Sequence, residues 1–246
     1  KSHPYRNLTV VMRKKSVKPC GNLAVHIKHF LQGNMMKGYV WVLLLAMTSM
    51  ECVAGFNEGL TAYRAGKYKT ALKELLPSAN GGNADAQYLI GDIYSSGLGV
   101  DRKEDYVAIN NSQAVGWYRK AAVQGHPYAQ FALGLMYKIG EVVPQDYSQA
   151  ADWYRKAAEQ GDTKSLFNLG EMYKKGEGVA KNLVLAHIFY NLAAVNGDEY
   201  RKSRDEITVK LTSAQLSEAQ ELASKWVINQ PLPTITQTYP SSSKEN

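Results

Sequence analysis

Tyr128–Asp162 reads YAQFALGLMYKIGEVVPQDYSQAADWYRKAAEQGD, and Lys164–Asp198 reads KSLFNLGEMYKKGEGVAKNLVLAHIFYNLAAVNGD. At an offset of 36 residues the two agree at Gly134/Gly170, Tyr137/Tyr173, Gly140/Gly176, Val143/Val179, Ala150/Ala186, Tyr154/Tyr190, Ala157/Ala193, Ala158/Ala194 and Gly161/Gly197. A self-similar period of this length marks an array of stacked structural units. An earlier copy begins at Asp85–Val100; its first half is offset by 43 and its second by 36, so seven extra residues fall in the loop Asp101–Asn111. A shortened copy over Phe56–Gly82 keeps Tyr63, Gly66, Ala71, Ala79 and Gly82. The units divide at 55–83, a degenerate N-terminal cap, and then at 84–126, 127–162 and 163–198.

Each unit reads as two helices. Ala129, Leu133, Met136 and Tyr137 recur at helical spacing on one face. Gly134 lies beside that stripe, where a missing side chain admits a close neighbour, and Gly140 ends the helix. Asp146 with Gln149, and Asn110 with Gln113, resemble capping boxes that open the second helix, which stops at Gly161. Such a helix–turn–helix cannot bury its apolar face alone and must stack on its neighbours. Beyond the repeats, Tyr200–Trp226 predicts two more helices, the second opened by Thr212 with Gln215 and carrying Leu216, Ala219, Ala223 and Trp226 on its apolar side. These fit a C-terminal cap over 199–228, and the Pro- and Ser-rich stretch 229–246 predicts a disordered tail.

The phrase WYRKAA, at Trp117–Ala122 and again at Trp153–Ala158, invites a reading as a basic stacking site. Counted from Ala150, however, Trp153, Tyr154, Ala157 and Ala158 fall on the buried stripe, whereas Arg155 and Lys156 fall off it. Aromatics and cations then face mostly different ways, which favours packing over ligand binding.

These residues carry a family resemblance. ALGLMYKIGEVVPQDYSQAADWYRKAAEQG resembles the SEL-one-like repeat, a relative of the tetratricopeptide repeat, over roughly residues 56–198. Departures are the Asp101–Asn111 insertion, the degenerate first copy, and Phe189 where earlier units have Trp117 and Trp153. The resemblance implies an all-α fold, a right-handed superhelical solenoid of stacked helix–turn–helix repeats, and a scaffold that binds other proteins. It also implies an exported bacterial type.

Charge and leader agree with export. The formal charge is +7, but residues 1–54 hold eight of the 29 Lys+Arg and only Glu51 among the acids, so residues 55–246 carry 21 of each sign. A neutral body has no field to steer nucleic acid. Lys37, the apolar run Gly38–Met50 and the small residues before Gly55 predict a secretory signal over 35–54, cut after Ala54. The run is shorter than the ~20 residues of a membrane span. Residues 1–34 precede the start at Met35 or Met36 and are left unassigned. Both cysteines, Cys20 and Cys52, fall before the cut, so the exported body has neither disulfide nor thiolate chemistry.

Catalytic motifs are scarce. Ser241–Lys244 contains Ser-x-x-Lys without partner motifs. His126 lies in a turn before Pro127, and His187 on a helix beside the apolar stripe, neither with metal-ligand spacing. No phosphate loop, cofactor, metal or catalytic residue is expected.

What varies between units is one stripe of the first helix: Tyr88, Asp92, Ser95; Phe131, Leu135, Lys138; Phe167, Glu171, Lys174. Aromatics beside mixed charges suit a protein or peptide partner, an envelope or host protein, if the first helices line the concave face. The competing reading is that Tyr88, Phe131 and Phe167 pack between units. A second function class is a peptidoglycan or carbohydrate binder or hydrolase. A hydrolase needs two carboxylates ~5–9.5 Å apart, and Asp92 and Glu171 stand two units apart.

Overall fold

A computed structural model describes residues 55–97 and 106–235; the expected signal at 35–54, the first part of the 101–111 insertion (101–105) and residues 236–246 lie outside them. The described residues form α-helices and one short 3-10 turn, with no strand among them. Residues 55–64 are helical (α1). There follow α2 (Tyr68–Asn80), α3 (Ala84–Ser96), α4 (Asn111–Val123), α5 (Pro127–Ile139), α6 (Tyr147–Glu159), α7 (Thr163–Lys175) and α8 (Leu183–Ala193). Then come a 3-10 turn (Ala194–Asn196), α9 (Asp198–Thr208) and α10 (Ser213–Lys225). Sequential helices pack as hairpins, α3 on α4, α5 on α6 and α7 on α8, and each hairpin packs on the next.

The boundaries follow from side chains that satisfy the free N–H groups of a helix start. Asn83, His126 and Asp162 cap the first helices of three units, and Asn110, Asp146 and Asn182 cap the second. Thr212 and Gln215 form a full capping box at α10. At Asp146 the reciprocal bond differs: the Gln149 amide goes to the Asp146 carboxylate at 3.1 Å, and not to its backbone. Gly140 and Gly176 close α5 and α7 at φ 79° and 81°, donating to Met136 O at 2.9 Å and Met172 O at 2.7 Å. That left-handed conformation strains any residue with a Cβ.

One interlock holds every hairpin. A Cβ on Gly91, Gly134 or Gly170 would lie 2.6–2.7 Å from the ring of Tyr118, Tyr154 or Tyr190 respectively. The glycine in the first helix is a socket for the tyrosine of the second, and those three rings are buried. Around them the alanines Ala121, Ala122, Ala157, Ala158 and Ala193 let the helices approach closely.

Between units the joints are polar and repeat. Arg119 donates to the Tyr137 hydroxyl at 3.0 Å, reaching from α4 to α5, and Arg155 bonds the Tyr173 hydroxyl from α6 to α7. Buried Gln87 and Gln130 donate to Ala79 O (2.8 Å) and Ala122 O (3.1 Å), carbonyls at the end of the preceding helix. The cations of WYRKAA therefore have structural partners. Lys120 and Lys156 differ from expectation: their ammoniums lie over the rings of half-buried Trp117 and Trp153, 4.0 and 4.2 Å from the centroids. The i,i+3 spacing places each lysine beside its tryptophan on the helix surface, and a cation is drawn to an indole face.

At the C-terminal end α9 and α10 pack on α8. Ile207 joins Ala186 and Tyr190, and Ala219 and Ala223 join the cluster of Ile188 and Phe189. The composition places a disordered tail from residue 229, and the structure differs over 229–235. Asn229 N–H donates to Glu159 O at 2.7 Å, Leu232 is buried in the same cluster, and Ile228 covers Gly161. Apolar residues among the prolines give this strap something to bury, and its backbone satisfies a carbonyl at the end of α6.

Candidate partner-binding site

The nine varying residues stand on the first helices, three each on α3, α5 and α7. All are half-buried except Asp92, which is buried. The α3 set is closed by its neighbours. The Tyr88 ring stacks on His126 at 4.5 Å and meets Tyr118 and Tyr128 at 5.9 Å. Asp92 accepts a hydrogen bond from the Tyr63 hydroxyl of α1, and the Ser95 hydroxyl lies 2.8 Å from that of Tyr118. Tyr88 thus packs on Tyr118 and His126 of its own unit and on Tyr128 of the next.

The α5 and α7 sets meet each other. Phe131 packs on Tyr154 (5.8 Å), Phe167 on Tyr190 (5.5 Å) and on Tyr200 of α9 (5.1 Å). Phe131 and Phe167 then line one shallow cleft of about 270 Å³ with Lys164, Asn168, Glu199 and Tyr200. Lys138 reaches across from α5 and donates to Asn168 Oδ1 at 2.9 Å. Leu135, half-buried on α5, takes the place that Asp92 and Glu171 hold in the flanking units. The cleft draws on α5, α7 and α9 together, so a row written into separate units becomes one surface only on stacking.

Charge on this face is largely self-neutralised. Lys174 lies 3.5 Å from Glu171 and 3.9 Å from Glu206 of α9, and Lys175 lies 3.4 Å from Glu171. Glu171 also accepts from the Tyr190 hydroxyl. Burial opposes ionisation of Glu171, but Tyr190, Lys174 and Lys175 outweigh it and hold the carboxyl below its ordinary value. Lys138 goes the other way: burial, and then the charge of Lys175, pull it below the usual lysine range. Asp92 and Glu171 are thus each engaged with a tyrosine hydroxyl. Among the described residues no three His, Cys, Asp or Glu side chains gather as a metal site.

The two histidines of the body have structural roles. His126 Nδ1 accepts the Ala129 N–H at 3.2 Å, and its Nε2 lies 3.3 Å from Asp85. That contact holds the Asp85 carboxyl below its ordinary value. His187 is buried on α8 with Nε2 3.2 Å from Thr208 Oγ1, and burial lowers its pKa.

Four cleft residues, Lys164, Asn168, Glu199 and Tyr200, were not in the predicted row. Extending the offset of 36 by two residues past Asp198 brings Tyr128, Lys164 and Tyr200 into register, which is the signal that finds the cleft's outer wall.

Residues 84–126, 127–162 and 163–198 each match the model of the Sel1 repeat. The crystal structure of a Sel1 repeat protein from Oxalobacter formigenes is similar at a TM-score of 0.56 and 36% identity, over 65% of this chain and 62% of that one. The crystal structure of c5321, a protective antigen of uropathogenic Escherichia coli strains displaying an SLR fold, is similar at a TM-score of 0.51 and 30% identity, over 74% of this chain and 47% of that one. The chain spans less than two thirds of the length of either. No curated protein matches the sequence.

Proposed function

The chain belongs to the Sel1-like repeat family, and from that premise we propose that it is an exported, non-enzymatic scaffold that binds a protein or peptide partner along the concave face of the solenoid. The observation that carries this reading is the cleft in which Phe131 of one unit and Phe167 of the next face a common opening with Tyr200. Half-buried aromatics in a concave setting are the side chains that dominate protein–protein binding energy. Export rests on the leader at 35–54 and on the absence of cysteine after residue 54. The destination proposed is the periplasm or the cell exterior, and the partner an envelope or host protein.

The test has two arms. The N-terminal residue of the chain recovered outside the cytoplasm is expected to be Gly55; recovery of an uncut chain in the cytoplasm overturns export. Tagged chain is incubated with envelope extract beside a variant carrying Phe131→Ala and Phe167→Glu, both checked for unchanged helical content. Loss of the captured protein in the variant supports the groove; equal capture by both refutes it. Release of soluble fragments from purified cell wall by the chain would refute the scaffold reading.

A further inference from the structure

The strap that closes the C-terminal end is an extended peptide held on the helix ends of 127–162. Ile228 packs over Gly161, where a Cβ would lie 3.0 Å from Ile228 Cδ1, and the Asn229 N–H donates to Glu159 O at 2.7 Å. Beneath the strap, Gln160 Nε2 donates to Gln130 Oε1 at 2.8 Å and to Lys156 O at 3.3 Å. Gly161 turns the chain there at φ 86°.

The same ground is built a second time, one unit earlier. Gln124 Nε2 donates to Gln87 Oε1 at 2.8 Å and to Lys120 O at 3.2 Å, and Gly125 turns the chain at φ 91°. Lys120 lies over Trp117 as Lys156 lies over Trp153. Among the described residues, a Cβ on Gly125 meets nothing within 4 Å, and Val123, in register with Glu159, is 69% exposed. The donor four residues beyond Val123 would be Pro127, which has no N–H, so the Val123 carbonyl at the end of α4 is open to an incoming donor. The flanking units lack the set: Gly81 and Asn196 stand where Gln124 and Gln160 do, and Gly197 is extended at φ 176°.

The strap shows which chemistry this ground holds. It is an extended chain with a branched aliphatic side chain over the glycine and, on the next residue, a free N–H for the carbonyl. Val123 in place of Glu159 exchanges a carboxylate for apolar surface, which suits such a segment. We propose that the helix ends around Val123–Gly125 form a further peptide-docking site. It takes an extended segment of a partner protein that lays Ile or Val over Gly125 and donates the following N–H to Val123 O. The chain's own strap is held by Glu159 O and by the cluster that buries Leu232, so the segment comes from another protein. The site lies at helix ends, apart from the first-helix stripe, and does not rest on the concave-face reading.

The probe is the synthetic peptide Val-Ile-Asn-Gln-Pro-Leu-Pro-Thr-Ile, the sequence of 227–235, titrated into the 15N-labelled full chain. Amide shifts are expected to concentrate in 120–129 and to leave 159–165 unmoved. N-methylation of the peptide's Asn, which removes its N–H, weakens binding about tenfold, the scale of one net hydrogen bond. Ile228→Asp in the peptide abolishes it. In the chain, Gly125→Asn is expected to remove binding while keeping the urea midpoint, because Asn tolerates a left-handed φ and its side chain fills the space over the turn. Shifts centred on 159–165 and indifferent to Gly125→Asn would mean that the peptide displaces the strap, and they overturn the proposal. So does the lack of any shift with the peptide in large excess. Dimerisation of the chain alone, abolished by Ile228→Asp in the chain, would make the occupant a second copy and overturn the assignment to a partner. Groove-dependent capture from envelope extract is expected to survive Gly125→Asn, so the two readings fail separately.

Discussion

The socketed tyrosines show how much one atom matters at a fixed position. Tyr118 and Tyr190 place their hydroxyls on Ser95 and Glu171, whereas the hydroxyl of fully buried Tyr154 has no partner among the described residues, since its unit offers Leu135 where the last offers Glu171. A buried unpaired hydroxyl costs about 1–3 kcal/mol. Tyr154→Phe is therefore expected to raise stability by about 1 kcal/mol and Tyr190→Phe to lower it by a similar amount, read as opposite shifts of the urea midpoint. His187 supplies the pH dependence. Burial, and then Arg204, lower its pKa from the ordinary 6.5, Asp205 pulling weakly the other way. The unfolded chain takes up a proton at a pH where the folded chain does not, so this contribution is complete above 6.5 and is lost as pH falls through the window below it. Wild type is expected to lose stability between pH ~7.5 and ~5.5, and His187→Leu to flatten that slope by up to one proton's worth, in urea titrations at both values. An equal slope in the variant would assign the acid sensitivity elsewhere.

Among elements, the hairpin is the unit that packing defines. Gly134→Ala brings a Cβ within 2.7 Å of the Tyr154 ring. The helix itself gains about 1 kcal/mol from alanine, but forcing the ring out of a filled core costs typically 1–3 kcal/mol. The expected net is destabilisation of up to about 2 kcal/mol, and Gly116→Ala, where a Cβ meets nothing within 4 Å, should stabilise instead. The hairpins were legible in the sequence because each boundary is marked by a residue with a local job: Asp146 and Asn110 at starts, Gly140 at a stop, Ala157 and Ala158 where helices touch. Gly134 was readable as a close-approach site, but its occupant was not, since that needs the relative rotation of two helices. The row of first-helix residues was legible as a stripe, yet its division into a closed part at Tyr88 and an open part at Phe131 and Phe167 depends on residues outside the stripe. Tyr128, Lys164 and Tyr200 come from the following unit or the cap, and His126 from the far end of Tyr88's own unit, so periodicity within one helix does not see them. Lys120 and Lys156 are exposed, as a position off the stripe implies, yet each leans over its tryptophan, because a helical wheel assigns a face to the backbone position and a long side chain can lean off it.

For the whole molecule, the C-terminal strap joins elements far apart in sequence. Its Leu232 lies in the cluster built by α6, α7, α8 and α10, and its backbone terminates α6. Leu232→Ala is expected to cost about 2 kcal/mol or more, with faster amide exchange concentrated in α6 and α10 and little change in α3; uniform exchange across the chain would contradict a local strap. The leader, residues 101–105 of the insertion and the last eleven residues belong to parts of the chain whose reading stays with the sequence. The repeating joints carry a different consequence. Arg119–Tyr137 and Arg155–Tyr173 are the same joint made twice, 36 residues apart. Excising 127–162 and splicing His126 to Thr163 would present Arg119 with Tyr173, leave His126 to cap α7, and bring Tyr88 beside Lys164. The arginine–tyrosine joint and the helix cap meet counterparts they already fit, and only Tyr88 beside Lys164 is a new pairing. The length of the array is thus a matter of copy number, adjustable in whole-unit steps by duplication or loss while the same arginine–tyrosine joint is reused.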